Sequence, residues 1–123
     1  MTTEVIVTAD FETWWDGLGI EEQKSVAVVV AMLEERGATL PFPYSSAIAG
    51  STKLRELRVQ HGGKPYRVLY AFDPKRNAVL LLGGNKTGSN RWYDTHIPKA
   101  ESFSRLTLKR AARQDRGECD DDS

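Results

Sequence analysis

Cysteine and histidine are scarce in this chain, which has one cysteine and two histidines among its 123 residues. The lone cysteine, Cys119, cannot form an internal disulfide, which excludes the disulfide-stapled secreted domains. The two histidines are far apart in sequence and no carboxylates cluster beside them, so the pattern does not predict a metal site. We therefore expect neither a metal nor a cofactor in this protein.

Long hydrophobic runs are also missing. The longest run extends from Val26 to Leu33, whereas a helix that spans a membrane needs about 20 apolar residues. The first residues lack the basic stretch and apolar core of a secretory signal peptide. We expect a single-domain protein in the cytoplasm, with no membrane partner.

A net charge is absent as well, but this zero hides a strong asymmetry along the chain. Residues 1–50 hold 2 Lys or Arg against 8 Asp or Glu, whereas residues 51–114 hold 14 against 4. Residues 115–123 are acidic again, with 1 against 5. Basic side chains concentrated on one segment favour a partner with phosphates, such as a nucleic acid.

The acidic first half predicts helices. Alternation around residues 4–8 predicts a short strand, and a short aromatic helix should follow and end near Gly17. A longer helix is predicted from Ile20 to Arg36, because its start is acidic and its apolar residues recur at helical spacing. The segment 38–52, which is rich in proline, is expected to be a loop.

The basic second half predicts strands. Three apolar segments at about 54–60, 65–73 and 77–83 are joined by short turns, which is typical of an antiparallel meander. A final helix is predicted from Pro98 to Arg113, with the proline in its first turn.

These elements together predict an α+β protein. Two N-terminal helices should pack on one face of an antiparallel sheet, and a C-terminal helix should follow it. The single domain is expected to occupy residues 1–113. Residues 114–123 are expected to form an acidic, disordered tail.

Alternation along the strands assigns side chains to the two faces of the sheet. In the second strand, bulky residues are expected to face the N-terminal helices: Tyr66, Val68, Tyr70 and Phe72. Arg67 then faces the opposite side, which no predicted layer of helices covers. Arg58 is assigned to this open face because Leu57 and Val59 look core-facing. Arg55 then faces the other way, although it could still reach the open face from the fraying end of the strand.

An arginine on an open strand face is a good phosphate ligand, since its rigid fork of donors does not deprotonate. The alternative for Arg67 is a surface ion pair with Glu56 on the adjacent strand, which would contribute little to stability.

A second candidate group follows the third strand. Lys86 comes after two glycines, which would let a substrate backbone approach closely. Trp92, Tyr93 and His96 could stack on an unpaired base, or His96 could act as an acid or base near neutral pH. The alternative is that the aromatic residues only anchor the last helix and that His96 only flanks it.

The order of these motifs resembles the HigB branch of the RelE superfamily, the phage Gp49-like toxins of type II toxin–antitoxin systems. The resemblance extends from Ala49 to about Arg110. It is carried by four stretches: Leu54–Arg58, Tyr66–Asp73, Leu80–Lys86 and Trp92–Ala100. One departure is that Lys86 is followed by Thr87, whereas many relatives carry paired lysines there.

The resemblance implies a small RelE-like toxin that cuts mRNA in the ribosomal A site. The family reaction needs no metal: the 2′-OH of the substrate attacks the adjacent phosphate and leaves a 2′,3′-cyclic phosphate and a 5′-OH. The implied partners are the mRNA on the ribosome and a cognate helix-turn-helix antitoxin.

The resemblance also implies roles for particular residues. Arg67 would be the main phosphate clamp, and Lys86 a second cation at the scissile group. Tyr93 or His96 would stack on a base or move the proton. Arg55 and Arg58 would hold the flanking phosphates. The other expected RNA contacts are Lys64, Arg91 and Trp92.

Two other functions remain open at this stage. The same superfamily includes ParE-like toxins, which bind DNA gyrase without catalysis. A third possibility is an inactive relative that acts as a corepressor with its antitoxin. The combination of Arg67, Lys86 and the Tyr93/His96 pair favours the nuclease over the gyrase binder.

Overall fold

In a computed structural model, the chain has the α+β architecture that the sequence predicts. The structure describes residues 3–51, 53–86 and 91–115, with side chains described up to Arg105. Its elements in chain order are β1 (Val5–Val7), α1 (Ala9–Asp16), α2 (Ile20–Arg36), a 3-10 turn (Gly37–Thr39), β2 (Ser45–Ala47), β3 (Arg55–His61), β4 (Lys64–Phe72), β5 (Ala78–Asn85) and α3 (Arg91–Asp115).

One five-stranded sheet forms the centre of the fold, in the strand order β1-β5-β4-β3-β2. The predicted meander of β3, β4 and β5 is confirmed, and all of its pairs are antiparallel. The predicted strand near residues 4–8 is β1, but it pairs with β5 in parallel. The expected loop 38–52 contains β2, an edge strand of three residues that is too short and polar to show alternation.

The N-terminal helices begin at caps that the sequence provides. The Thr8 hydroxyl accepts a hydrogen bond from the Phe11 amide at 3.1 Å and donates to the Leu81 carbonyl at 2.7 Å. This side chain therefore both caps α1 and ties its start to β5. The second helix begins where Gly19 N–H donates to the Glu22 carboxylate at 2.7 Å.

Two hydrophobic cores lie on the two faces of the sheet. The first packs α1 and α2 against the predicted inward-facing residues of β3 and β4, including Leu57, Val59, Tyr66, Val68 and Tyr70. The second packs α3 against the other face, and its buried residues include Leu69, Ala71, Val79, Leu81 and Ala100. The face that was expected to be open is therefore covered by the C-terminal helix, and this expectation was wrong.

A bulge in β5 decides which face its last residues occupy. Leu69 pairs with Leu82, but the next residue of β4, Tyr70, pairs with Leu80. Leu81 is thus an extra residue, and both Leu81 and Leu82 belong to the core under α3. One extra residue reverses the alternation of side chains. Each side chain of β5 beyond the bulge therefore lies on the opposite face from the one that regular alternation, counted from Leu80, would give it.

The last helix begins at Arg91, about two turns before the predicted start at Pro98. Pro98 lies inside α3 instead of in its first turn. The prediction was wrong because it took the proline as a start signal, although Trp92, His96 and Ala100 already recur at helical spacing.

Two further expectations can be compared with the described residues only in part. None of the described helices is long and apolar enough to cross a membrane. The expected tail at 114–123 lies almost wholly outside the described residues, which end at Asp115. The domain limits therefore stay predictions.

Close packing of the Trp14 indole on Gly83 generates a first testable expectation. A Cβ atom on Gly83 would collide with the Trp14 ring, so Gly83→Ala should lower the free energy of unfolding by about 1–3 kcal/mol. Gly17→Ala is the matched control, because its Cβ would meet the carbonyl oxygens of Trp14 at 3.5 Å and Thr13 at 3.8 Å, which are ordinary contacts, in a helix-compatible conformation. It should be neutral or stabilising by about 0.5 kcal/mol. Urea denaturation measures both, and equal effects would contradict this packing.

Candidate functional site

Charged and aromatic side chains meet on the sheet face that α3 covers. Arg58 of β3 and Arg67 of β4 are cross-strand partners, so their side chains share this face. Glu56 lies two residues before Arg58 on the same strand, so its side chain is on this face as well. Lys86 follows β5, beyond the bulge. Tyr93 lies in the first turn of α3, and its side chain reaches Glu56. Four segments of the chain therefore contribute to one cluster.

The carboxylate of Glu56 is the centre of this cluster. Only 5% of the residue is exposed. Its Oε1 accepts a hydrogen bond from the Tyr93 hydroxyl at 2.6 Å, and its Oε2 accepts one from Arg58 Nη1 at 3.2 Å. Arg67 Nε lies 3.7 Å from Oε1 as an ion pair. One buried charge thus joins β3, β4 and α3, with cations and a phenol as partners.

Arg67 is buried, not open. Only 3% of it is exposed, and its Nη1 donates to the Tyr66 carbonyl at 3.0 Å. Among the described residues its Nε has no hydrogen-bond partner and depends on the ion pair with Glu56. The alternative reading of the sequence, a pair with Glu56, is what the structure shows. It is a desolvated pair and not a surface one, so it is costly to break.

Tyr93 is held between an anion and a cation. Its hydroxyl binds Glu56, and Lys86 Nζ lies 5.1 Å from the centroid of its ring. Burial raises the pKa of the Tyr93 phenol, and the hydrogen bond to the Glu56 carboxylate raises it further, while Arg67 opposes the shift. The phenol therefore stays protonated near neutral pH, where it can donate a hydrogen bond but cannot act as a base.

Trp92 and His96 form a neighbouring stack that meets the cluster through Trp92, whose ring lies edge-on to the Tyr93 ring with 5.2 Å between the centroids. The Trp92 and His96 rings lie 4.4 Å apart at an angle of 15°. His96 Nδ1 lies 2.8 Å from the Trp92 carbonyl oxygen, which can only accept, so the proton is on Nδ1. The Trp92 indole rests on Gly84, where a Cβ would collide with it. In the described part of the chain, no hydrogen bond or ion pair joins His96 to Glu56 or Lys86.

The other predicted RNA contacts are scattered. Arg55 faces the opposite core, where its Nε donates to the Ser45 hydroxyl at 3.1 Å, so it does not join Arg67. Lys64 is exposed at the start of β4 and is one of the charges that lower the pKa of Glu22, after the hydrogen bonds from Tyr66 and Gly19. Arg91 is exposed at the first position of α3.

Glu56 is the site residue that sequence reasoning missed as a functional group. It was considered only as a surface partner for Arg67. A signal was available: Leu69, Ala71 and Leu81 are apolar and share its face, which indicates that something covers that face. A carboxylate on a covered face must be bound by donors, and the nearest donors are the functional candidates.

A metal cluster was not expected from the sequence. Within residues 3–51, 53–86 and 91–115, no group of three His, Cys, Asp or Glu side chains is arranged to hold a metal ion.

Comparison with known families and proteins gives consistent matches. The profile of the family described as "Phage derived protein Gp49-like (DUF891)" matches residues 13–104. The chain is 41% identical over 103 residues to "Putative toxin HigB3" of Mycobacterium tuberculosis (strain ATCC 25618 / H37Rv), which covers 81% of this chain and 89% of that protein. It is 39% identical over 103 residues to "Putative toxin HigB2" of the same strain, covering 78% of this chain and 51% of that protein.

A solved structure shares the fold. This structure is the crystal structure of the archaeal RelE-RelB complex from Pyrococcus horikoshii OT3. The match covers 72% of this chain and 100% of the chain in that complex. The TM-score is 0.52 and the sequence identity is 19%, so the likeness concerns the fold alone.

The buried ion pair generates a stability experiment. Glu56→Gln removes the charge but keeps an acceptor for Tyr93, so Arg67 is left buried without a counter-charge. We expect a loss of about 3–5 kcal/mol in the free energy of unfolding. The matched control is Glu21→Gln, which breaks an exposed pair with Lys24 at 3.3 Å and should cost less than about 1 kcal/mol. Similar losses in urea denaturation would show that the buried pair contributes no more than the exposed one.

The Tyr93 phenol generates a pH experiment. Its pKa is raised in the folded state, so above about pH 10 the native protein binds more protons than the unfolded chain. Stability should therefore fall as pH rises from 10 through the folded pKa, and it should fall less steeply in Tyr93→Phe. The raised pKa of Tyr66 affects both proteins alike and cancels. Parallel stability curves between pH 9 and 11 would contradict this assignment.

Proposed function

Since the chain belongs to the phage-derived Gp49-like family, we propose that it is the HigB-type toxin of a toxin–antitoxin pair. The family resemblance seen in the sequence is confirmed by the profile and by both relatives. We propose further that the toxin is an endoribonuclease that inhibits translation by cutting mRNA in the ribosomal A site. Its partner is then an antitoxin, as RelE is paired with RelB in the structure of similar fold.

The observation that carries the nuclease proposal is the meeting of three cations, one carboxylate and one phenol on a single face. The cations are Arg58, Arg67 and Lys86, and Glu56 is the carboxylate among them. Metal-free attack by a 2′-OH needs positive charge around the phosphorane, a base and a proton donor. The cluster contains all three kinds of group, with a local excess of positive charge.

The geometry supports a distribution of roles. Glu56 is the base that takes the proton from the 2′-OH, since Tyr93 stays protonated. As the O2′–P bond forms and the P–O5′ bond breaks, the 5′ oxygen takes the phenol proton. Tyr93 recovers a proton from Glu56 along their 2.6 Å hydrogen bond, which leaves both groups as they began. The products are a 2′,3′-cyclic phosphate and a 5′-OH.

The cations have different access to a phosphate. The side chain of Arg58 is 30% exposed, and Lys86 is half-buried beside the Tyr93 ring. We propose that these two meet the substrate first. Arg67 lies beneath them and fixes the carboxylate of Glu56. Its role as a phosphate clamp stays a prediction. Because Glu56 is nearly as buried as Arg67, access of the substrate to either group requires the first turn of α3 to move away.

Expression without a partner tests the proposal. Induction should arrest growth and leave mRNAs cut within codons, with 5′-OH ends and 2′,3′-cyclic phosphates that end-specific ligation and sequencing detect. Purified protein should cut mRNA on programmed ribosomes. Growth arrest with intact mRNA and altered DNA supercoiling would instead identify a ParE-like gyrase binder. If induction causes neither growth arrest nor mRNA cleavage, the result supports the third possibility, an inactive relative that acts as a corepressor.

Lys86 offers the sharpest variant for this assay. Lys86→Ala removes an accessible cation next to Tyr93, so cleavage on ribosomes should slow by about 100-fold, as when one transition-state donor is removed. Lys99→Ala is the control, because Lys99 is 56% exposed and pairs with Asp10 outside the cluster. It should cut within twofold of the wild type. Arg67→Ala is a poorer test, since it would leave the Glu56 charge buried and destabilise the fold.

A further inference from the structure

Phe42 is an exposed aromatic ring at the edge of the candidate site. It keeps 69% of its surface in contact with solvent, which by itself is unremarkable for a single apolar residue. Its neighbour makes it unusual. The guanidinium carbon of Arg58 lies 5.3 Å from the centroid of the Phe42 ring, and the same guanidinium binds Glu56 at the centre of the site.

The segment that carries this ring is held rigidly. Phe42 lies between Pro41 and Pro43, whose rings restrict the backbone. The Pro41 carbonyl accepts hydrogen bonds from the amides of Tyr44 and Ser45, both at 3.1 Å. The Arg58 amide donates to the Tyr44 carbonyl at 2.9 Å, which fastens the segment to β3. The backbone that carries the ring is therefore held in place, which lowers the entropic cost of ordering this segment when a ligand binds.

The position of Phe42 relative to the cations matters as well. Arg58 is the cross-strand partner of Arg67, so it lies next to the proposed phosphate position. Phe42 extends this row by one side chain toward the β2 edge of the sheet. A basic group beside an exposed aromatic ring is the arrangement that binds single-stranded nucleic acids, because the cation takes the phosphate and the ring stacks on a base.

We propose that Phe42 and Arg58 form a nucleobase-stacking subsite for the nucleotide next to the scissile phosphate. The ligand class is single-stranded RNA, because a base inside a duplex is not free to stack on a protein ring. Every base has a π face, so the subsite adds affinity without selecting a codon. This inference rests on the proposed nuclease function, since it requires RNA at the Glu56 cluster.

Binding of a non-cleavable RNA tests the subsite. The probe is a single-stranded oligonucleotide with 2′-O-methyl groups, which lacks the attacking hydroxyl, and its dissociation constant is measured by fluorescence anisotropy on the full chain. Phe42→Ala should weaken binding by roughly 5- to 100-fold, the range for loss of one stacked base. Phe42→Leu should lose nearly as much, because it keeps apolar area but no π face. Phe42→Trp should bind like the wild type.

Controls separate stacking from other effects. Ile20→Ala removes an apolar side chain that is 71% exposed at the start of α2, and it should bind the probe like the wild type. All variants should keep the urea midpoint of the wild type, since Phe42 is exposed. A duplex RNA of the same sequence should bind wild type and Phe42→Ala equally.

The outcomes distinguish this inference from the function on which it rests. If the wild type cuts mRNA on ribosomes but Phe42→Ala binds the probe unchanged, the subsite is wrong and the nuclease proposal stands. If the wild type neither binds the probe nor cuts mRNA, both fail together. The ring is not a stacking surface for single-stranded RNA if Phe42→Ala binds the probe normally but no longer binds its co-expressed antitoxin. The same conclusion follows if the variant binds duplex RNA and the single-stranded probe with equally reduced affinity.

Discussion

The arrangement of the candidate site depends on one extra residue in β5. Because Leu81 has no partner of its own on β4, Gly83 lies under Trp14 on one face, and Gly84 lies under Trp92 on the other. With regular alternation from Leu80, the end of β5 would direct Lys86 toward α1 and α2, away from Tyr93. The bulge therefore brings Lys86 to the face that carries Arg67. Bulges beside functional sites commonly redirect a side chain in this way.

Next to Lys86, the protein retains a buried ion pair between Glu56 and Arg67 that stability alone does not favour. Glu56 and Arg67 are both almost fully desolvated at an N–O distance of 3.7 Å, which is too long for a strong hydrogen bond. Apolar residues of similar size often stabilise a core more than such a pair does. The pair is better explained by what it holds: a carboxylate in contact with a protonated phenol and, through Arg58, with the exposed edge of the sheet. The sites that stability does not explain are those where function is expected.

Sequence reasoning succeeded where one physical rule decided the outcome. Alternation placed Tyr66, Val68 and Tyr70 under the helices, and the acidic start of α2 and its helical apolar spacing gave its bounds. It failed where several rules competed. An all-apolar stretch such as Val79–Leu82 shows no alternation, so the bulge leaves no trace in it. Pro98 looked like a helix start, although α3 begins at Arg91 because Trp92 and Ala100 are needed to cover the second core. Missing that cover made Arg67 look exposed and hid the importance of Glu56.

The uneven charge of the chain acquires a spatial meaning in this fold. The acidic residues 1–50 supply α1, α2 and the edge strands, whereas the basic residues 51–114 supply the meander and most of α3. The sheet thus separates the acidic helices from the more basic face, and in the proposed nuclease this face attracts the RNA. Charge alone would attract DNA as well as RNA. In the proposed nuclease the discrimination lies in the reaction and not in binding, because only RNA has the 2′-OH from which Glu56 takes a proton. The buried anion that reduces the positive charge of the site is thus the group that restricts cleavage to RNA.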